Sequence, residues 1–526
     1  MTRIRYYLYD AFIGLLRSLR LSYLPPLMVY LAAGISGLTA IVGTFFVKDY
    51  LGLSAAFLAG LGFWAGLPWA LKMPLGHLVD LFWRHKNYFV YVGALVITAS
   101  LLIMYGLIAE TELMRSVMAV ETWFVLSVIL APVGYVLQDV VADAMTVEAV
   151  PTEDHTGAPI SASEIKEMHT TMQALGRFAV IGGSFLVALL NVALFSGVEL
   201  LGDEEKRAVY ASIYVYALVI PCVSIVGVIL AEYLRLDRPN QKQAISEVRP
   251  NWAVLNGSLL FVIFSVSVGS LDIPFAQEIV FLGSMIIIVY LMSQLLGYLS
   301  DETRLMVVGT AIAIFVFRAV PSPGPGLTWF EIDVLLFDEQ FLSVLAAISS
   351  ALTLLGIILL RPLVARYSIA RIIVILSLVG GCLLLPSIGM YYGLHQWTAT
   401  HTGGVVDARF IAILNTALES PLGQISMIPL LAWIAKNAPD ELKATFFAVF
   451  ASFTNLALSA SALATKYINQ IFEISREVFD QTTQQVTTAA DYSELGFLLI
   501  AVGLITIIIP ITVVRLIQRS PLRSTD

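Results

Sequence analysis

Between residues 23 and 517 the chain repeats apolar blocks of about 20 residues, the length at which an α-helix crosses the hydrocarbon core of a bilayer. Few folds are open to such a chain. In lipid every backbone N–H and C=O must be satisfied within the spanning structure, which leaves helices or a closed barrel, and blocks this long are helical. The blocks lie near 23–47, 56–80, 88–109, 122–148, 169–195, 209–233, 254–271, 278–299, 305–320, 341–361, 371–392, 409–435, 443–465 and 494–517. Only 13% of the 526 residues are charged, about half the share of a soluble domain. The sequence predicts an all-α polytopic membrane protein with fourteen spans.

Cytoplasmic loops are enriched in Lys and Arg. With the N-terminus inside, twenty such residues fall in inner segments and seven in outer ones, so both termini are expected in the cytoplasm. Residues 1–22 carry Arg3, Arg5, Arg17 and Arg20 among Tyr6, Tyr7 and Phe12, with no small-residue cleavage site. This segment reads as a basic amphipathic stretch on the inner membrane surface. Residues 234–253 read as a cytoplasmic linker and 518–526 as a tail. Short loops point to a bacterial inner membrane.

A weak internal repeat organises the spans. Pro132-Val133-Gly134 recurs as Pro421-Leu422-Gly423 at an offset of 289, and Pro151 as Pro439 at 288. Gly76-His77-Leu78-Val79 aligns with Arg361-Pro362-Leu363-Val364 at 285. Shifting 23–233 by about 287 lands on the last six spans. The expected plan is two parallel six-helix halves, 23–233 and 305–517, with the 254–299 pair inserted between them. Parallel repeats of this kind build the major facilitator superfamily, whose substrates bind near the midplane. The default reading of the inserted pair is a brace outside the bundle.

Six charges sit in or at the end of apolar runs: Lys72, Asp139, Asp143, Arg177, Arg318 and Glu419. Each costs roughly 2.5–3.5 kcal/mol on insertion scales, so such residues normally line a polar pathway. Asp139 and Asp143 are spaced i, i+4 and share a helix face. Two carboxylates this close disfavour double ionisation, which suits a proton-coupling pair. An inner-gate role for them is the alternative. Glu419 lies beside Pro421, where a helix frees a backbone carbonyl, and is a third protonatable candidate. Lys72, Arg177 and Arg318 could hold an anionic substrate, since guanidinium forks bind carboxylates bidentately. Alternatively, they neutralise the three acids. Glu148, at the inner end of its span, fits a gate. Tyr30, Trp64 and Trp69 could stack on a planar ring or simply pack. Gly34, Gly37, Gly43, Gly182 and Gly183 suit close helix packing.

Nothing points to an enzyme. The six histidines lack ligand spacing, and no phosphate-binding loop is present to power transport by hydrolysis. Cys222 and Cys382 read as small buried residues rather than a disulfide. No cofactor, metal or nucleic acid is implied. A monomer is expected, partnered by a small anionic substrate, protons and the lipid bilayer. A non-transporting assembly or cofactor-delivery factor on the same fold is the second class.

Several strings go further. Leu75-Gly76-His77-Leu78-Val79-Asp80 followed by Arg84 resembles the inner-loop motif of the major facilitator superfamily, which implies a gate role for Asp80 and Arg84. Val29-Tyr30, Phe45-Phe46-Val47-Lys48-Asp49-Tyr50, Pro68-Trp69-x-x-Lys72-x-Pro74, Asp139-Val140-Val141-Ala142-Asp143, Gln173-x-x-Gly176-Arg177 and Ala444-Thr445-Phe446-Phe447 together resemble the folate–biopterin transporter family. That resemblance implies symport of folate, a pterin or a related anion. It places Gln173 and Trp69 beside Lys72, Arg177 and Arg318 as substrate contacts. Arg318 and Lys443 depart from the family pattern, which leaves room for another amphipathic anion, such as a peptidoglycan fragment or a siderophore.

Overall fold

The computed structural model describes residues 19–50, 53–70, 72–151, 153, 158–236, 260, 262–269, 273–297, 299–364, 368–422, 443–479 and 486–523. Residues 1–18 of the amphipathic stretch expected over 1–22, most of the 234–253 linker and the strings within 423–442 lie outside the described residues. The chain divides into two compact units, Met1–Gly43 with Pro74–Leu255, and Thr44–Met73 with Asn256–Asp526. The expected first half, 23–233, thus contributes its 44–73 stretch to the second unit.

In the first unit the first span is broken. Helix α1 (Leu24–Ile35) gives way to a 3₁₀ turn at Ser36–Thr39 before α2 (Ala40–Tyr50). Next along the chain come α3 (Ala55–Ala70), which belongs to the second unit, and α4 (Lys72–Leu81); the first unit continues with α5 (Asn87–Ala109), α6 (Val120–Ala149), α7 (Ala162–Leu194), α8 (Asp203–Ala217) and α9 (Val219–Leu236). α1 packs against α7 and α9, and α5 against α6. Two glycines set the α1–α7 distance. A Cβ on Gly34 would collide with the Val180 carbonyl, and one on Gly183 would lie 3.0 Å from Gly34 Cα. Gly37 and Gly182 have open space instead, so the packing role expected of them does not hold. Between α5 and α6, Gly93 and Gly134 approach so closely that a Cβ on either would sit 2.7 Å from the other's carbonyl oxygen.

The second unit holds α3, α10 (Ala276–Leu296), α11 (Asp301–Arg318), α12 (Pro325–Asp333), α13 (Glu339–Val364), α14 (Ile369–Leu383), α15 (Leu385–Tyr391), α16 (Ala408–Glu419), α17 (Lys443–Ile471) and α18 (Leu495–Gln518). Small residues along α3 allow extensive packing on α17; Gly66 lies 3.5 Å, measured from its would-be Cβ, from Ser459 Oγ. Asn455 Nδ2 donates to the Trp69 carbonyl at 3.1 Å. Around them, Phe63, Leu67, Val280 and Leu463 form one buried cluster. Among the described residues, the departures from helix are a two-stranded ribbon, β1 (Val478–Phe479) with β2 (Val486–Thr488), and two isolated bridges.

Among the described residues, eight apolar helices are long enough to span a membrane, including Leu21–Val47, Val120–Ala149, Thr171–Leu200 and Leu495–Gln518. They coincide with eight of the fourteen expected blocks. The block at 56–80 is helical in α3 and α4, with Pro68 inside the first, and Leu71 between them lies outside the described residues. Cys222 and Cys382 are exposed rather than buried, and neither forms a disulfide.

The helices of the stretch expected to be inserted, 254–299, pack on α3 and α17 of the same unit where they are described. Gln277 Nε2 donates to the Gly60 carbonyl of α3 at 3.1 Å, and Glu278 Oε1 accepts from Lys466 Nζ (3.0 Å) and the Tyr467 hydroxyl (2.6 Å) of α17. A Cβ on Gly269 would lie 2.9 Å from the Trp64 ring. Trp64 is therefore taken up by this packing and is not a stacking platform. Arg409 pairs with Asp338 at 2.6 Å, with the arginine side chain 46% exposed and the aspartate 15%. The pair lies between a surface and a buried one, and Arg409→Ala is expected to cost about 1–3 kcal/mol in detergent unfolding.

Candidate functional site

The first unit brings Asp139, Asp143 and Arg177 together around a residue the sequence reading cast differently. Asp139 and Asp143 lie one turn apart on α6, both partly buried. The Tyr30 hydroxyl of α1 donates to Asp143 Oδ1 at 2.6 Å. Asp139 and Arg177 both lie within electrostatic reach of that hydroxyl. Tyr30 is only 8% exposed, and a Cβ on Gly176 of α7 would come 2.9 Å from its ring. The ring thus rests on the α7 backbone, and Tyr30 is not available to stack on a substrate.

Gln173 and Arg177 are exposed, four residues apart on one face of α7. Leu186, Leu189 and Leu190 on the same helix are also exposed, at 45–58%. At 100° per residue, Leu186 points about 180° away from Arg177. Helix α7 therefore has two exposed faces. The leucine face suits lipid; the Gln173–Arg177 face, opposite, has the chemistry of a polar pathway.

Glu148, near the C-terminal end of α6, does have a basic partner. Lys86 Nζ meets its Oε1 at 2.6 Å, with Lys86 1% exposed and its ammonium 4.3 Å from the Trp83 ring centre. The motif pointed to Asp80 and Arg84; their backbones lie in α4 and the 3₁₀ turn Trp83–His85, and their side chains lie outside what is described. Lys86, which follows Arg84 in the same motif, was assigned no gate role from the sequence and is the residue that reasoning missed. Burial of that lysine leaves no trace in composition.

The remaining candidates belong to the second unit. Lys72 starts α4, Trp69 is partly buried on α3, and Arg318 is partly buried at the end of α11. Glu419 is exposed and ends α16. The chain then turns through a 3₁₀ segment, Ser420–Leu422, imposed by Pro421. Thr353 Oγ1 of α13 donates to the Ser420 carbonyl there at 3.0 Å. One turn before Glu419, the Asn415 side-chain oxygen is buried with no hydrogen-bond partner among the described residues.

Facing Glu419 electrostatically is Glu331 of α12, in the acidic outer segment 321–339. Burial, and then the neighbouring Glu419 carboxylate, push the Glu331 carboxyl up from 4.5 to about 7. The unfolded chain therefore ionises first as pH rises. Stability from this group is complete below pH 4.5 and is lost as pH climbs to about 7, by up to about 3 kcal/mol. Glu331→Gln is expected to flatten that decline in unfolding midpoints measured across the interval.

The BT1 family model matches residues 33–525. The chain belongs to the BT1 family. A folate-biopterin transporter from Synechocystis sp. is 21% identical over 440 residues, covering 82% of this chain and 71% of that protein. A POT family transporter solved in complex with 5-aminolevulinic acid superposes with a TM-score of 0.62 at 13% identity, over 96% of both chains. The nucleoside transporter NupG gives 0.51 at 11% identity, over 95% of this chain and 100% of that one. This BT1 chain is a membrane transporter with an all-helical, major-facilitator-like fold. It is not an enzyme.

Proposed function

We propose that this BT1 member is a secondary active transporter that moves folate, a pterin or a related organic anion by proton symport and alternating access. The observation that carries the reading is the junction of α1, α6 and α7. Two carboxylates share a helix face there, beside an arginine exposed on the side of α7 opposite its leucines. In this reading Arg177 and Gln173 hold the substrate carboxylate and amide groups. Asp139 and Asp143 take and release the coupling proton. Lys72, Arg318 and Trp69, on the second unit, are proposed as further substrate contacts, and Glu419 as a further protonatable group. Asp80, Arg84 and Glu148 are assigned to the inner gate. Fourteen spans, two six-helix halves, cytoplasmic termini, a monomeric state and a bacterial inner membrane complete the proposal.

Uptake of labelled folic acid and of a reduced pterin into proteoliposomes tests it, with and without an imposed pH gradient. Accumulation driven by the gradient supports symport. Uptake that only equilibrates would sink the coupling, and uptake of neither compound would sink the substrate class.

A further inference from the structure

We propose that Tyr30 is the positioning residue of the coupling site: it holds Asp143 on α6 to α1 through the whole transport cycle. The inference rests on the symport reading above and deepens it. Three observations carry it. The hydroxyl of Tyr30 donates to Asp143 Oδ1 at 2.6 Å. The ring is buried and seated on Gly176, where any larger residue would displace it. Around it Val29, Ala142, Ala179 and Val180 close an apolar shell drawn from three helices. A phenol so placed cannot swing away without unpacking α1 from α7.

The chemistry of the pair fits a group that must load and unload a proton. An ionised carboxylate accepts only, and the phenol O–H supplies the donor. A protonated carboxyl gains an O–H of its own and can donate to the phenol oxygen instead. The link between α1 and α6 therefore survives in both states, with donor and acceptor exchanged. Asp139 and Arg177, the other charges facing the hydroxyl, then sense the proton in a fixed geometry.

Tyr30→Phe keeps the ring on Gly176 and removes only the hydroxyl. Proteoliposomes carrying this variant are assayed with labelled folic acid in two modes, equilibrium exchange and accumulation driven by a pH gradient. Accumulation is expected to fall about tenfold, the effect of losing one hydrogen bond to a charged group. Exchange rate and KM should stay within about twofold, because exchange needs no net proton movement. Combining Tyr30→Phe with Asp143→Asn should be no worse than Asp143→Asn alone, as for two residues acting through one contact. Gly176→Ala, which displaces the ring but keeps the hydroxyl, should give the same split and carries the test if Tyr30→Phe does not fold. Parallel loss of exchange and accumulation, or loss of neither, overturns the proposal. A wild-type protein that exchanges folic acid but ignores the gradient, or takes up none, removes the symport reading and the Tyr30 role together. A gradient-driven wild type with an unaffected Tyr30→Phe removes the Tyr30 role alone.

Discussion

Arg177→Ala is expected to lower transport by about 30-fold or more, equivalent to roughly 2 kcal/mol, the lower end for removing one partner of a charged hydrogen-bonded pair. The guanidinium is exposed on the α7 face that also carries Gln173, and it lies within electrostatic reach of the Tyr30 hydroxyl. Two roles fit that position. As a substrate anchor, the planar fork grips a carboxylate at two points. Arg177→Lys would then keep the charge, lose the fork and fall between wild type and alanine. As an internal counter-ion, Arg177 would offset Asp139 and Asp143, and its loss would be repaired by removing a negative charge. The double variant Arg177→Ala with Asp143→Asn, assayed by equilibrium exchange, which needs no net proton movement, separates the two. Recovery of transport would show that charge balance was the role. Continued loss, with KM raised in Arg177→Lys, would show substrate binding. Thermal unfolding of each variant in detergent excludes a general loss of fold.

Much of this molecule could be read before its structure. Spans such as 88–109 and 122–148 matched helices Asn87–Ala109 and Val120–Ala149 almost to the residue, because lipid imposes one solution on a long apolar block. The i, i+4 spacing of Asp139 and Asp143, and of Gln173 and Arg177, also survived, since it follows from helix geometry alone. What failed was everything set by which helix lies next to which. Tyr30 and Trp64 look alike in sequence, as aromatics within apolar runs. One became the hydrogen-bonded partner of an aspartate on another helix, and the other was covered by the inserted pair. Gly34 and Gly37 are three residues apart, yet only Gly34 meets a neighbouring backbone. The break in the first span at Ser36–Thr39 was not legible either, because Ser, Gly and Thr are also common where membrane helices pack closely. The split of 44–73 from the first unit likewise depends on α3 choosing α17 as its partner.

The largest stability effect is expected at the Lys86–Glu148 pair of the first unit. Lys86 is 1% exposed and Glu148 18%, so their 2.6 Å contact exchanges little with water. Taking both charges out of water costs several kcal/mol per ion, offset by their attraction and by the face of Trp83 under the ammonium. Removing one partner leaves the cost without the offset. Lys86→Met and Glu148→Gln are each expected to destabilise the protein by about 3–5 kcal/mol, read as a shift in denaturant unfolding. Glu148→Gln should be at least as severe, since it strands the more deeply buried of the two charges. The double change, Lys86→Met with Glu148→Leu, removes both desolvation costs and should return close to wild-type stability. A stable double variant then becomes the instrument for function. If the pair only braces the fold, transport returns along with stability. If it is a gate that must part and re-form, stability returns and transport does not. Single variants within about 1 kcal/mol of wild type would mean that the pair behaves as a surface contact, and the gate assignment of Glu148 would lose its physical basis.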